Sequence, residues 1–339
     1  MRLLICEYVT GGGFLGSPIP PGLAREGDMM LAALVKDMAA LSGIDAVSVR
    51  DARLGAIGLS TDCQTIQVDA NPWDAWRAAV GDVDAVWPIA PESGGALLRL
   101  TTLILRTGRV LIGSRPRAVS LAASKSATVE RLAACGVPVV PSLRASAVLA
   151  GVDLPASRDG WVIKPDDGAG AESTWLFRHA GDLHRWIADA PAAGNLVVQP
   201  YQQGVPASMS MICRDGRARL LSCNRQEIDI EDGAFRFRGC IVGGHEHRRA
   251  DCERLAGAIA AAIPDLWGYV GVDVIDGESG LVVLEVNPRL TTSYVGLGQA
   301  IGTNPAGLVL RLLDEALDAG GPRLPVKPQR VDVEARHAA

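Results

Sequence analysis

The segments "GYVGVDVID" and "LVVLEVNPRL" set Asp273, Glu285, Asn287 and Arg289 among apolar neighbours. Side chains alternate along a strand, so Glu285, Asn287 and Arg289 share one face, and Asp273 can lie beside them on a paired strand. Burying two carboxylates and an amide together is costly unless a cation holds them. A ligand set made only of oxygens suits Mg²⁺, with nucleotide phosphates completing the shell. The alternative is a plain ion pair between Glu285 and Arg289 at a strand end.

More than a hundred positions upstream, "GWVIKPDDGAGAEST" places Lys164 at the end of an apolar strand, followed by Gly168 and Gly170 in a loop of small residues. A lysine on a rigid strand beside such a loop can hold phosphate oxygens while the loop closes over them. Lys125 opens a helical pattern in "ASKSATVERLAA". Either lysine alone reads as a surface residue. Their combination with the downstream carboxylates is what points to phosphate chemistry.

A rival nucleotide site lies in "VTGGGFLGSPIPPG", where Gly11, Gly13 and Gly16 have dinucleotide-loop spacing. That site needs a helix directly behind the glycines. Pro18, Pro20 and Pro21 intervene, so no helix is expected before about Leu23. No acidic residue follows at the required distance either. The segment reads as a glycine turn leading into a loop.

The elements that must position these groups fall into two styles. Through the first third, apolar β-prone runs ("RLLICEY", "AVSV", "TIQV", "DAVWPIA", "RVLIGS") alternate with helical patterns over 25–41, 73–80 and 94–107. Such alternation implies a parallel sheet covered on both faces. Beyond it, "VPVVPS", "GWVIKPD", "STWLFR" and "NLVVQPY" are strand candidates. A hairpin about Asp215-Gly216, then "AFRFRGCIV", "WGYVGVDVID" and "GLVVLEVNPRL", read as mostly antiparallel strands. The helix "CERLAGAIAAAI" interrupts them, and helices are expected near 295–301 and 304–319.

Two lysines, a glycine loop, "VVQPY" and Asp…Glu-x-Asn-Pro-Arg in this order resemble the ATP-grasp superfamily of carboxylate–amine ligases over roughly residues 115–320. The resemblance implies mixed α/β and α+β architecture: an ATP-grasp fold preceded by a parallel-sheet pre-ATP-grasp domain. The implied divisions are 1–114 for the N-terminal domain, 115–201 for the small ATP-grasp subdomain, 202–320 for the subdomain carrying the metal site, and 321–339 as a tail. By the same resemblance, Lys125 and Lys164 contact ATP phosphates, and the 166–173 loop, with Asp166, Gly168 and Gly170, folds over them. Gln199, Pro200 and Tyr201 form the hinge beside adenine. Asp273, Glu285 and Asn287 hold two Mg²⁺ or Mn²⁺ ions, and Arg289 steadies the transferred phosphoryl group. The family often carries an acidic hinge residue where this chain has Gln199, which leaves the adenine and ribose contacts open.

In the first third, "EYVTGGGF" with "REGDMM" resembles the start of tyramine–glutamate ligases of methanofuran biosynthesis, which are ATP-grasp enzymes. This resemblance implies glutamate and tyramine or tyrosine as substrates, with Glu7 on the acceptor side of the cleft or merely shaping it. For a glutamate α-carboxylate, Arg225 of "CNRQEI" and Arg248 of "GGHEHRR" are candidate partners. Asn224 and Gln226 share the strand face opposite Arg225. A metal reading of His245 and His247 fails for want of further soft ligands nearby in sequence, so His245 or His247 reads as an exposed loop residue, with His245 a candidate substrate contact. The alternatives kept open are a ligase for another amino acid and amine, and a nucleotide-binding protein without catalysis.

The bulk composition is consistent with this reading. The 339 residues suffice for two or three domains, and no apolar run approaches a membrane span. A net charge of −5 without a basic stripe argues against a nucleic-acid partner. Seven cysteines, odd in number and without a C-x-x-C pair, read as buried apolar residues in a reducing compartment. With no secretory leader pattern, the expected location is cytoplasmic. A homo-oligomer is compatible with the sequence.

Overall fold

The computed structural model describes residues 1–55, 63–168, 173–190 and 193–333. The N-terminal part runs β1 (Arg2–Glu7), α1 (Pro21–Ala39), β2 (Asp45–Asp51), β3 (Gln64–Val68), α2 (Pro72–Gly81), β4 (Ala85–Ile89), α3 (Ala96–Arg106) and β5 (Val110–Leu111). These strands form one parallel sheet in the order β3-β2-β1-β4-β5. The "LLIC" run of β1 is fully buried because helices cover both faces. In α3, Leu97, Leu100, Thr101 and Ile104 recur at helical spacing and form its buried face.

Helix α1 begins at Pro21, two residues before the expected limit, because proline is tolerated at the first helical position, where the missing N–H would be unbonded anyway. The glycine segment forms a short π-turn, Val9–Gly13. It packs too tightly for a phosphate loop: a Cβ on Gly11 would come within 2.7 Å of Val49.

Two short helices, α4 (Pro116–Ala122) and α5 (Lys125–Ala134), lead to β6 (Leu143–Arg144), α6 (Ala145–Leu149), β7 (Trp161–Pro165), β8 (Trp175–Phe177), α7 (Ala180–Asp189) and β9 (Leu196–Pro200). Then follow β10 (Val205–Arg214), β11 (Arg217–Glu231), β12 (Ala234–Val242), α8 (Arg249–Ala262), β13 (Gly268–Gly277), β14 (Gly280–Asn287), α9 (Tyr294–Ile301), α10 (Pro305–Leu310) and β15 (Gln329–Asp332). Strands β14-β13-β10-β11-β12 form an antiparallel sheet, which continues through one residue pair, Ala234 with Trp175, into β8-β7-β9-β6. Asp215 and Gly216, with φ of 51° and 73°, make the β10–β11 hairpin turn, as their types require.

Three expectations need correction. "VPVVPS" gives only an isolated bridge, Val139 with Val283. The last helical stretch stops at Leu313 after a 3₁₀ turn. The supposed tail contributes β15, which pairs with β12 and buries Val331. Among the described residues, no helix is long and apolar enough to cross a membrane.

Candidate active site

In the order β3-β2-β1-β4-β5, the chain changes direction between β1 and β4, and open parallel sheets take ligands beyond the C-terminal strand ends at such a switch. Glu7 ends β1 and Ile89 ends β4, with Ala90 directly after it. All three line a cleft of about 810 Å³, whose other walls come from β7, β9 and the β10–β14 sheet.

The opposite wall gathers the charged groups named from sequence. Asp273 and Glu285 are direct partners across β13 and β14, beside a bulge between Asp273 and Val274. Bulges commonly re-aim side chains next to sites. The Asp273 carboxylate accepts from Gln226 Nε2 at 2.8 Å and from Asn287 Nδ2 at 3.1 Å. Lys125 Nζ lies 3.3 Å from Glu285 Oε2, and Lys164 faces the same carboxylate. Glu285 is thus tied to a lysine, and Arg289 pairs elsewhere, which removes the simple Glu285–Arg289 bridge.

Electrostatics separate the two carboxylates. Burial and the Glu285 charge push Asp273 well above the ordinary carboxyl range. Burial would also raise Glu285, but Lys125 and Lys164 outweigh it and hold that carboxyl at about 2. Lys164 is itself lowered to about 8, first by burial and then by Lys125, against the pull of Glu285. Two lysines, two carboxylates and an amide therefore meet at one end of the cleft. Asp273, Glu285 and Asn287 supply oxygen donors alone, and the carboxylate pair raises Asp273 when no cation neutralises it. These residues fit a hard divalent cation.

Arg289 binds Glu92 through Nε at 3.1 Å to both oxygens and through a terminal nitrogen at 2.9 Å. Glu92 is 5% exposed and belongs to the N-terminal domain, so this pair ties the domains together beside the reacting end. The sequence reading missed it. Its position just past the C-terminal end of a parallel strand was the available signal. Thr292 likewise donates to Glu26 of α1 at 2.9 Å.

The remaining candidates divide. Pro200 and Tyr201 line the cleft, and so does Gln199, whose amide donates to Ser142. Asp166 is not among the cleft-lining residues; it accepts from Ser124, from the Ser126 hydroxyl and from the Ser126 backbone N–H at the start of α5. It thereby positions the helix that carries Lys125. The Gly168 carbonyl accepts from Lys125 Nζ, and Gly170 lies outside the described residues. Glu7 accepts from Val9 N–H and from both the N–H and hydroxyl of Thr10, so its carboxylate fastens the π-turn while bordering the cleft.

Arg225 is corrected by strand alternation. Gln226 faces the cleft, and Arg225 is exposed on the other side. Asn224 is buried in a knot with Ser208, Ser210, Ser222 and Gly243. His245 is 2% exposed, not a surface residue, and bonds Asp276; Arg248 pairs with Asp251 and Asp276. Neither His245 nor Arg248 borders the cleft.

Residues 122–293 match the ATP-grasp domain family, just over half the chain, and residues 44–119 match the pre ATP-grasp 3 domain. The tyramine–L-glutamate ligase of Methanocaldococcus jannaschii is 26% identical over 312 residues, covering 90% of this chain and 86% of that protein. An ATP-grasp superfamily protein from Archaeoglobus fulgidus superposes with a TM-score of 0.74 at 22% identity, over 98% of this chain and 92% of that one. The L-amino acid ligase of Bacillus licheniformis gives 0.65 at 15% identity, over 94% and 75%. Cleft, charges and family matches agree: the chain belongs to the ATP-grasp family, as an ATP-dependent carbon–nitrogen ligase with a pre-ATP-grasp domain in front of it.

Proposed function

We propose that this enzyme joins the γ-carboxyl group of glutamate to the amine of tyramine or tyrosine, in synthesis of a methanofuran-type cofactor. The observation that carries this reading is the convergence of Lys125, Lys164, Asp273, Glu285, Asn287 and Arg289 at one end of a cleft that also reaches Glu7 and Glu26 of the N-terminal domain. The likeness to tyramine–L-glutamate ligases over 90% of the chain supports the choice of substrates.

In this reading a carboxylate oxygen attacks the γ-phosphorus of ATP and ADP leaves. The amine nitrogen then attacks the acyl phosphate, loses a proton, and phosphate departs. Phosphoryl transfer needs positioning and charge neutralisation more than covalent help from the protein. Lys125 and Lys164 hold phosphate oxygens, Arg289 faces the transferred group, and Gln199 to Tyr201 border the nucleotide base. Asp273, Glu285 and Asn287 would hold Mg²⁺ or Mn²⁺, which supplies positive charge to the phosphates. The amine enters from the side of Glu7 and Glu26.

The test is direct incubation with ATP, Mg²⁺, glutamate and tyramine or tyrosine. The expected products are a γ-glutamyl amide with equal ADP and phosphate. AMP and pyrophosphate would overturn the acyl-phosphate route. Phosphate release with a different amine, and none with these two, would overturn the substrate assignment alone.

A further inference from the structure

Away from the nucleotide cleft, the turn after β12 and the end of β13 bring together His245, His247 and Asp276. One ligand-capable atom from each lies within 4.8 Å of the other two. His245 Nε2 is 2.9 Å from Asp276 Oδ2, and the two imidazole rings meet edge to face with centroids 4.4 Å apart. We infer that these three side chains form a second metal site, for Zn²⁺ or a similar late first-row divalent cation, separate from the oxygen-only set in the cleft.

The donor chemistry chooses the ion. Two imidazoles and one carboxylate, with a water in the fourth position, suit Zn²⁺, whereas Mg²⁺ prefers oxygens alone. Bonds of about 2.0–2.1 Å set tetrahedral ligand atoms about 3.3 Å apart. The existing His245–Asp276 edge is close to that spacing, so an ion enters by replacing one hydrogen bond while the ring proton shifts to the other nitrogen. The frame is held in advance: His245 N–H bonds the Cys223 carbonyl, and Glu246 accepts from Cys223 N–H at 2.8 Å and pairs with Arg249 at 3.0 Å. His247 is exposed, which gives the ion an entry path and the ring freedom to turn inward.

Arg248 is the competitor. Its Nε lies 3.3 Å from the same Asp276 oxygen and makes no hydrogen bond, while a terminal nitrogen holds Asp251 at 3.1 Å. That second anchor lets Arg248 yield the Asp276 oxygen to a cation.

The experiment titrates the full, chelator-treated chain with Co²⁺ in excess Mg²⁺, following visible absorption. One equivalent should bind and give a tetrahedral spectrum. His247→Ala, at an exposed position that leaves the fold intact, should weaken binding by about tenfold or more, since even outer partners of a metal site cost that much. Arg248→Met should tighten it by removing the competing charge. No absorption at one equivalent, or Co²⁺ binding that His247→Ala leaves unchanged, would overturn the site.

Discussion

Glu285 is where the two signs of charge in the cleft meet. Removing its charge while keeping its shape leaves Lys125 and Lys164 without their shared counter-ion and strips an oxygen donor from the metal set. Glu285→Gln should therefore abolish turnover with circular dichroism unchanged; near-normal rates at ordinary Mg²⁺ would make the cluster structural. Lys164 carries the pH dependence. Its lowered value of about 8 means the ammonium form declines as pH rises through 8, and ATP phosphates favour that form. ATP binding near pH 8.5 should take up a proton, visible as a buffer-dependent heat in calorimetry. Affinity should fall by up to about tenfold per pH unit above 8. A flat affinity from pH 7 to 9 would exclude Lys164 from phosphate contact. At this scale the sequence was readable wherever residue type and alternation sufficed, as for Asp273, Glu285, Asn287 and Arg289. It misled at "CNRQEI", where alternation separates Arg225 from Asn224 and Gln226 but does not say which of the two faces borders the cleft.

Elements depend on contacts that sequence patterns do not display. Strand β15 was invisible in a segment rich in proline, arginine and lysine, because only pairing with β12 makes it a strand. Gly239 permits that pairing. Its φ is 149°, and a Cβ there would lie 2.1 Å from the Val331 carbonyl oxygen. Val331 in turn packs against Gly296 of α9, the helix that follows Arg289 and Thr292. Gly239→Ala should release β15, lower stability by about 1–3 kcal/mol, and expose the amides of residues 329–332 to hydrogen exchange. Unchanged protection there would mean that the strand is held by other contacts. The hairpin at Asp215-Gly216 was legible for the opposite reason: its turn chemistry is local.

At the scale of the molecule, the N-terminal domain is joined to the rest by pairs whose members lie far apart in the chain. Arg289 and Glu92 are separated by 197 positions, Thr292 and Glu26 by 266, and Tyr294 and Asp37 by 257. No periodicity or motif reports such pairs; the parallel-sheet pattern of the first third offers only the general rule that ligands gather beyond C-terminal strand ends, and it did not single out Glu92. The Glu92 carboxylate holds one edge of the Arg289 guanidinium, through Nε and a terminal nitrogen, so it fixes both where the cation points and how the N-terminal domain meets the ATP-grasp sheet. Glu92→Gln keeps shape and some hydrogen bonding but loses the charge that orients Arg289. In the proposed mechanism Arg289 meets the transferred phosphoryl group and not adenine, so kcat should drop by about tenfold or more while the KM for ATP moves little. Glu92→Asp, which restores the charge one methylene shorter, should recover part of the rate. A loss shared equally by kcat and ATP affinity, or no loss at all, would show that Glu92 serves only to join the two domains.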